Sequence, residues 1–340
     1  MLELRNRTPF QAGLIPWLDQ EGIDHVCIVV KGTFSLSMRC GTLPVAGEQA
    51  LLVRADEFHG EPTASGIQYT ADTTPLKPGT DVALLGHAHA PPGGRCRSME
   101  VLLQVGHLKK AIRVLGNRVW FRSLMTWQMT PPEPFECIPL IYERAFGGQD
   151  DTSPEGPVVE MRNPVGTGFA ASSNSKRLEG LLLPNLEDER ELITSPRSRP
   201  TPVGFGFVAA HWLPRRTWGG TYDEAWRRER CPFLPKDFDM RFLNAAPAPL
   251  IASPHLKGGE TVQVSGASPQ GDLRFTLPKP RLQVQAWLRA KLLEAEPILD
   301  TVTIEPDRQR VLLTWKAMFR CGQQLLHLSR VSVKLLEGTS

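Results

Sequence analysis

Two aspartates flank a phenylalanine at Asp237-Phe238-Asp239, inside the stretch GGTYDEAWRRERCPFLPKDFDMRFLNAAP that runs from Gly219 to Pro247. In an extended chain, residues i and i+2 share a face, with Cα atoms roughly 6.5–7 Å apart. A carboxylate pair at that spacing suits glycoside hydrolysis, one group acting as acid and the other as base or nucleophile. Trp212, Trp218 and Trp226 would then offer stacking faces for sugar rings. The same residues have a structural use. A packed segment without ladder partners must satisfy its peptide groups with side chains. Asp and Asn accept such hydrogen bonds and Arg donates them. Asp223, Asp237, Asp239, Arg241 and Asn244 have that composition, and Asp239 and Arg241 are spaced to pair. The bracing use is the favoured expectation; a carbohydrate-active hydrolase using Asp237 and Asp239 is the alternative.

His87 and His89 lie two apart, on one side of a strand, with Cys96 and His107 nearby in sequence. Alternating histidines can ligate zinc if a paired strand supplies a third ligand. Without a CxxC or a fixed carboxylate they read as strand-end histidines, and no metal is expected. GTGFAA from Gly166 nominally fits a dinucleotide fingerprint. The fingerprint needs a strand before it and a helix after it; Asn163-Pro164 precedes it and SSNSK follows, so no cofactor is expected. Neither a phosphate-binding GxxxxGK[ST] loop nor a GxSxG elbow occurs.

These residues sit in a chain of 340 residues with 41% hydrophobic and 22% charged content, ordinary for a folded protein. Its 29 glycines and 30 prolines predict many turns and ordered irregular segments. The net charge is +3, with both signs interspersed. Arg215-Arg216 and Arg227-Arg228 are short clusters, offset by the acidic run from Glu187 to Glu191, so nucleic acid is not expected. No signal peptide and no apolar stretch of membrane-spanning length is visible. Cys27, Cys40, Cys96, Cys137, Cys231 and Cys321 are scattered singly, which predicts reduced thiols and a cytoplasmic location.

Alternation of apolar and polar residues predicts a mainly β fold: antiparallel, sandwich-like sheets with long irregular segments and few short helices. Strands are expected at HVCIVVKGTFSL from His25, ALLVRADEFHG, GIQYTAD and DVALLGHAHA. The meander MEVLLQVGHLKKAIRVLGNRVWFR, with Gly116-Asn117 as a turn, continues them. DLRFTLP, TVTIEP and RVLLTWKAMF follow near the end, with a turn at Pro306-Asp307. VQAWLRAKLLEAE fits either a strand pair or an amphipathic helix. YDEAWRRER predicts two helical turns capped by Thr221. We expect one domain over 1–340: β-rich at 1–130, irregular at 131–254 and β-rich again at 255–336.

The ordered series VVKGTF (Val29 to Phe34), KPGTDV, YERAFGG, NPVGTGF, LPNLED, GFGFVAAHWLPR, GGTYDEAW, LPKDFDMRFLNAAP and PILDTVTIEP resembles a family of unknown function. That family is encoded beside the spike proteins of bacterial type VI secretion systems. The resemblance covers about the whole chain, although some relatives carry a C-terminal pentapeptide-repeat extension not seen here. It implies a non-enzymatic adaptor or chaperone that holds a secreted effector, or its PAAR-type carrier, and assists loading on the VgrG spike. It carries over no catalytic residue. Trp, Tyr and Arg dominate interface energetics. Trp212, Arg215, Arg216, Trp218, Tyr222 and Trp226 are therefore the candidate partner contacts, with a core position the equal alternative for any single tryptophan, since large aromatics are mostly buried.

Overall fold

The computed structural model describes residues 2–36, 41–152, 156–173, 176–289 and 291–336. Cys40, one of the six cysteines, lies outside them; the other five are free thiols. The fold is mainly β, with 42% strand and 9% helical residues, several antiparallel sheets and no barrel. Among the described residues no helix is long and apolar enough to cross a membrane.

Three sheets carry the frame. A six-stranded sheet runs in the order Ile251–Ala252, Thr80–Leu84, Ile298–Glu305, Arg310–Gly322, Asp24–Ser35, Gln11–Leu18. Its pairings are antiparallel except that of Thr80–Leu84 with Ile298–Glu305. A five-stranded antiparallel sheet contains the hairpin Ser98–Val105 and Leu108–Leu115, turned at Gly106. A four-stranded sheet brings the first strand, Glu3–Arg7, parallel to the last, Leu328–Leu335. One hydrophobic cluster draws on all three sheets and on Phe205, Phe207, Trp212 and Leu250 from the irregular middle. A smaller cluster gathers Trp120, Phe146, Phe169, Leu178, Leu183 and Ile193.

Several local expectations change. VQAWLRAKLLEAE is a hairpin, Leu282–Leu288 with Lys291–Ala295. Leu282, Val284 and Ala286 point inward at period two, which a helix would scatter around its circumference. In ALLVRADEFHG only Glu57–Phe58 is a strand. The chain there is held by side chains: Gln49 bonds both peptide groups of Thr33, and Asp56 accepts from the Ala71 amide. Gly116-Asn117 does not close a hairpin; Trp120–Ser123 pairs onward with Thr126–Met129.

One face of the six-stranded sheet is polar and buried. Lys77 pairs with Asp81 at 2.9 Å, approaches Asp300 at 3.5 Å and donates to the Thr301 hydroxyl at 2.7 Å. Lys316 lies 3.3 Å from Asp300 and donates to the Thr74 hydroxyl. Next to them Lys31 pairs with Asp72 at 2.7 Å. Burial alone would push the Asp300 carboxyl up, but the two ammonium groups outweigh it and hold the carboxyl below its usual range. Burial pushes the neighbouring Cys27 thiol up to about 12, so that sulfur is an inert core atom.

Candidate functional site

The middle segment has only ladders of two or three residues, and several of its other buried peptide groups are met by side chains. Asn163 Nδ2 donates to the carbonyls of Tyr142 and Phe146, and Asn185 Nδ2 to that of Leu115. Asn244 Nδ2 donates to the Gly79 carbonyl at 2.9 Å and to Asp81 Oδ1 at 2.8 Å. The other Asp81 oxygen accepts from the Ala245 amide. The glycines of GTGF serve close backbone crossing: a Cβ on Gly166 would stand 2.4 Å from Asn163 Nδ2.

Residues 216–242 form a surface loop that is braced in the same way. Asp237 accepts from both the amide and the hydroxyl of Thr221, at 3.0 and 2.7 Å. Asp239 caps the short turn Met240–Leu243 by accepting from the Arg241 amide, and its other oxygen takes two bonds from the Arg241 guanidinium. The side-chain hydrogen bonds from Thr221 and Arg241 hold both carboxyls below their usual range. The helix Glu224–Glu229 is capped by Asp223, whose carboxylate accepts from the Trp226 amide at 2.8 Å. Thr221 is therefore not the cap: it is engaged with Asp237, and the helix begins two residues later than that cap would set it. Gln20 donates to the carbonyls of Pro235 and Phe238, and Arg230 donates to that of Gln20, so the loop is fastened to the turn at 19–23.

The candidate contacts divide. Trp212 is 0% exposed, packed edge-on to Tyr142, and belongs to the core, so it presents nothing to a partner. Arg215 is 7% exposed and spends its guanidinium on the carbonyls of Phe242 and Val208. Both are corrected to structural residues, because the Trp212 ring packs into the core and the Arg215 guanidinium is spent on backbone carbonyls. Arg216 is exposed, and Tyr222 is 56% exposed and meets Trp226 ring to ring at 4.7 Å. Trp218 is half-buried beneath the Arg241 guanidinium, 5.1 Å from its ring centre.

Behind the loop lies a pocket of about 360 Å³, walled by Val203, Val208, Leu213, Trp218, Ala246 and Pro249. Lys110 and Tyr142 also line it. Lys110 is a pocket residue that was not foreseen. The signal was present: it falls in phase with the inward-facing Leu108, Ile112 and Val114. Burial depresses its ammonium pKa to about 8, with Asp188 the carboxylate acting against that shift.

His87 and His89 both turn to Asp307, at 2.7 and 2.8 Å. Asp307 stands in the turn Pro306–Arg308, and this carboxylate was not foreseen as their partner. No group of three or more potential ligands arranged to hold a metal ion occurs among the described residues.

These features define a β-rich scaffold with a braced irregular surface and a largely apolar pocket that Lys110 lines. The chain belongs to DUF2169, an uncharacterized protein family conserved in bacteria, whose profile covers residues 21–316. The comparisons with curated proteins and with solved structures return no match.

Proposed function

We propose that this protein is a non-enzymatic adaptor or chaperone that binds a type VI secretion effector, or its PAAR-type carrier, and assists loading on the VgrG spike. The identity of the partners rests on the ordered motif series in the sequence. The structural observation that supports a binding role is the loop 216–242. It displays Arg216, Tyr222 and Trp226 on a backbone already fixed by Asp223, Asp237 and Asp239. A surface ordered before docking loses little entropy on docking, and these residue types are the ones that anchor interfaces. The carboxylates a hydrolase would need are occupied by Thr221 and Arg241 on that surface.

The test is purification at native expression with mass spectrometry of what accompanies the protein. An effector or PAAR-type partner is expected with the wild type and lost with the double variant Arg216→Glu/Tyr222→Ala, whose fold stays intact by circular dichroism. No accompanying protein, together with unchanged effector loading after gene deletion, overturns the reading.

A further inference from the structure

Lys110 occupies an inward position of its strand, opposite the fully buried Leu103 in the register. An ammonium carries three donors. One goes to the Gly204 carbonyl at 2.6 Å. Asp188, the carboxylate that acts on Lys110, stands beyond ion-pair distance, and no described carboxylate pairs with it. Tyr142 is 5% exposed, and its hydroxyl has no hydrogen-bond partner among the described residues. Burial raises its pKa, so it remains a donor. The two groups meet at Gly204: its carbonyl takes Lys110, while a Cβ on it would lie 2.9 Å from Tyr142 Cζ. A desolvated cation without a counter-ion costs free energy until an anion reaches it, and the Tyr142 hydroxyl, from which no described residue accepts, is free to donate.

The other charged groups of the pocket are engaged. Arg162 is held by both oxygens of Glu160. Glu191 accepts from the Thr201 amide and Asp188 from the Arg190 amide. Arg215 gives its guanidinium to the carbonyls of Phe242 and Val208, and Asn244 donates to the Gly79 carbonyl and Asp81. Thr201 adds a polar edge, and the remaining walls are hydrocarbon and proline. The size lies at the low end of the range for small-ligand sites, roughly 300–1,000 Å³.

We propose that this pocket binds an apolar group bearing a carboxylate, with the Lys110 ammonium and the Tyr142 hydroxyl donating to the carboxylate and the walls around Val203, Leu213 and Ala246 covering the hydrocarbon. That chemistry has two sources: a free medium-chain acid, or the C-terminal residue of a polypeptide that ends in an apolar side chain. The proposal stands independently of the adaptor reading, since it requires only the pocket.

Calorimetric titration of the intact protein tests it with four probes: octanoate, octanamide, a peptide ending in leucine with a free carboxylate, and the same peptide as its C-terminal amide. At least one acid is expected to bind, and its amide to bind roughly ten- to a hundredfold more weakly, the loss of a charge-assisted hydrogen bond. Lys110→Met should weaken the acid by a similar factor and leave the amide unchanged; Tyr142→Phe should weaken the acid severalfold. Binding of octanoate alone assigns a free acid, and binding of the peptide acid assigns a chain end; either supports the proposal. Should neither acid bind at millimolar concentration, or acid and amide bind alike, the proposal is overturned. The acid–amide comparison uses only the wild type, so the test survives a variant that fails to fold.

Discussion

The six-stranded sheet and the irregular middle face the same demand, that every buried peptide group find a partner, and meet it with different material. In the sheet the ladder satisfies the backbone, so the polar side chains on its covered face are free to pair with each other, as Lys77, Asp81, Asp300 and Lys316 do. In the middle, Asn163, Asn185 and Asn244 spend their amides on carbonyls. Asp81 belongs to both systems: one oxygen meets Lys77 and the Ala245 amide, the other meets Asn244. A scaffold built this way can hold an elaborate surface without regular structure, but its stability concentrates in a few shared residues.

Asp81 is where the sheet and the middle are most readily uncoupled. Asp81→Ala would leave the Lys77 ammonium short of a partner and strand Asn244 and the Ala245 amide at once. Removing one partner of a buried ion pair costs about 3–5 kcal/mol. Urea denaturation of the variant should show a loss of that order. The double variant Lys77→Met/Asp81→Leu should recover part of it, because the ion pair disappears whole while the ties to the middle stay broken. A loss under about 1 kcal/mol, within the usual range for an exposed ion pair, would mean that the junction between sheet and middle rests on packing alone.

Lys110 is the next largest effect, with the opposite sign. Its folded pKa of about 8 lies below the unfolded value, so the unfolded chain binds more protons between about pH 8 and 10.5. The wild type should therefore gain stability as pH rises through that window. Below it, Lys110→Met should be the more stable protein by up to about 3 kcal/mol, the free-energy equivalent of the depression. The advantage should shrink toward pH 10. Denaturation of both proteins at pH 7 and pH 10 gives the difference directly, and the tyrosines and thiols that titrate in common cancel. A residue that stabilises nothing yet faces inward is what a ligand-binding role would leave behind.

How much of this was legible beforehand depends on whether partners were local. Strands Asp24–Ser35, Ser98–Val105 and Arg310–Gly322 follow from alternation, because one side faces the core. The Asp239–Arg241 pair follows from a separation of two residues. Lys77 and Asp300, 223 positions apart, carry no such sign: a lysine just before a strand reads as a solvent-facing residue until the fold places a carboxylate over it. Asp307 reached His87 and His89 across a comparable span. Trp212 shows the reverse ambiguity: an aromatic among arginines suits an interface or the core, and the fold puts it in the core. The helix cap was missed by two residues, because Thr221 and Asp223 both belong to the capping residue types and Thr221 is taken by the distant Asp237.

The smallest expected effect is at Asp237 and Asp239, and it is the one that probes the surface loop. Both carboxylates are solvent-facing, so Asp237→Ala and Asp239→Ala should leave the denaturation midpoint unmoved. What each holds is local: the Thr221 amide by Asp237 and the Arg241 amide by Asp239. Hydrogen exchange at each amide should accelerate in its own variant, while the Ala245 amide, tied to buried Asp81, keeps its protection. In the wild type the same acceleration should appear on acidification. The folded carboxyls lie below the unfolded value of about 3.9, so their contribution is present above it and lost as pH falls through the folded values. If both amides stayed equally protected in the variants, the loop would be held by Gln20, Arg230 and the rings around it, and the surface offered to a partner would be ordered by packing against the sheet instead of by its own acids.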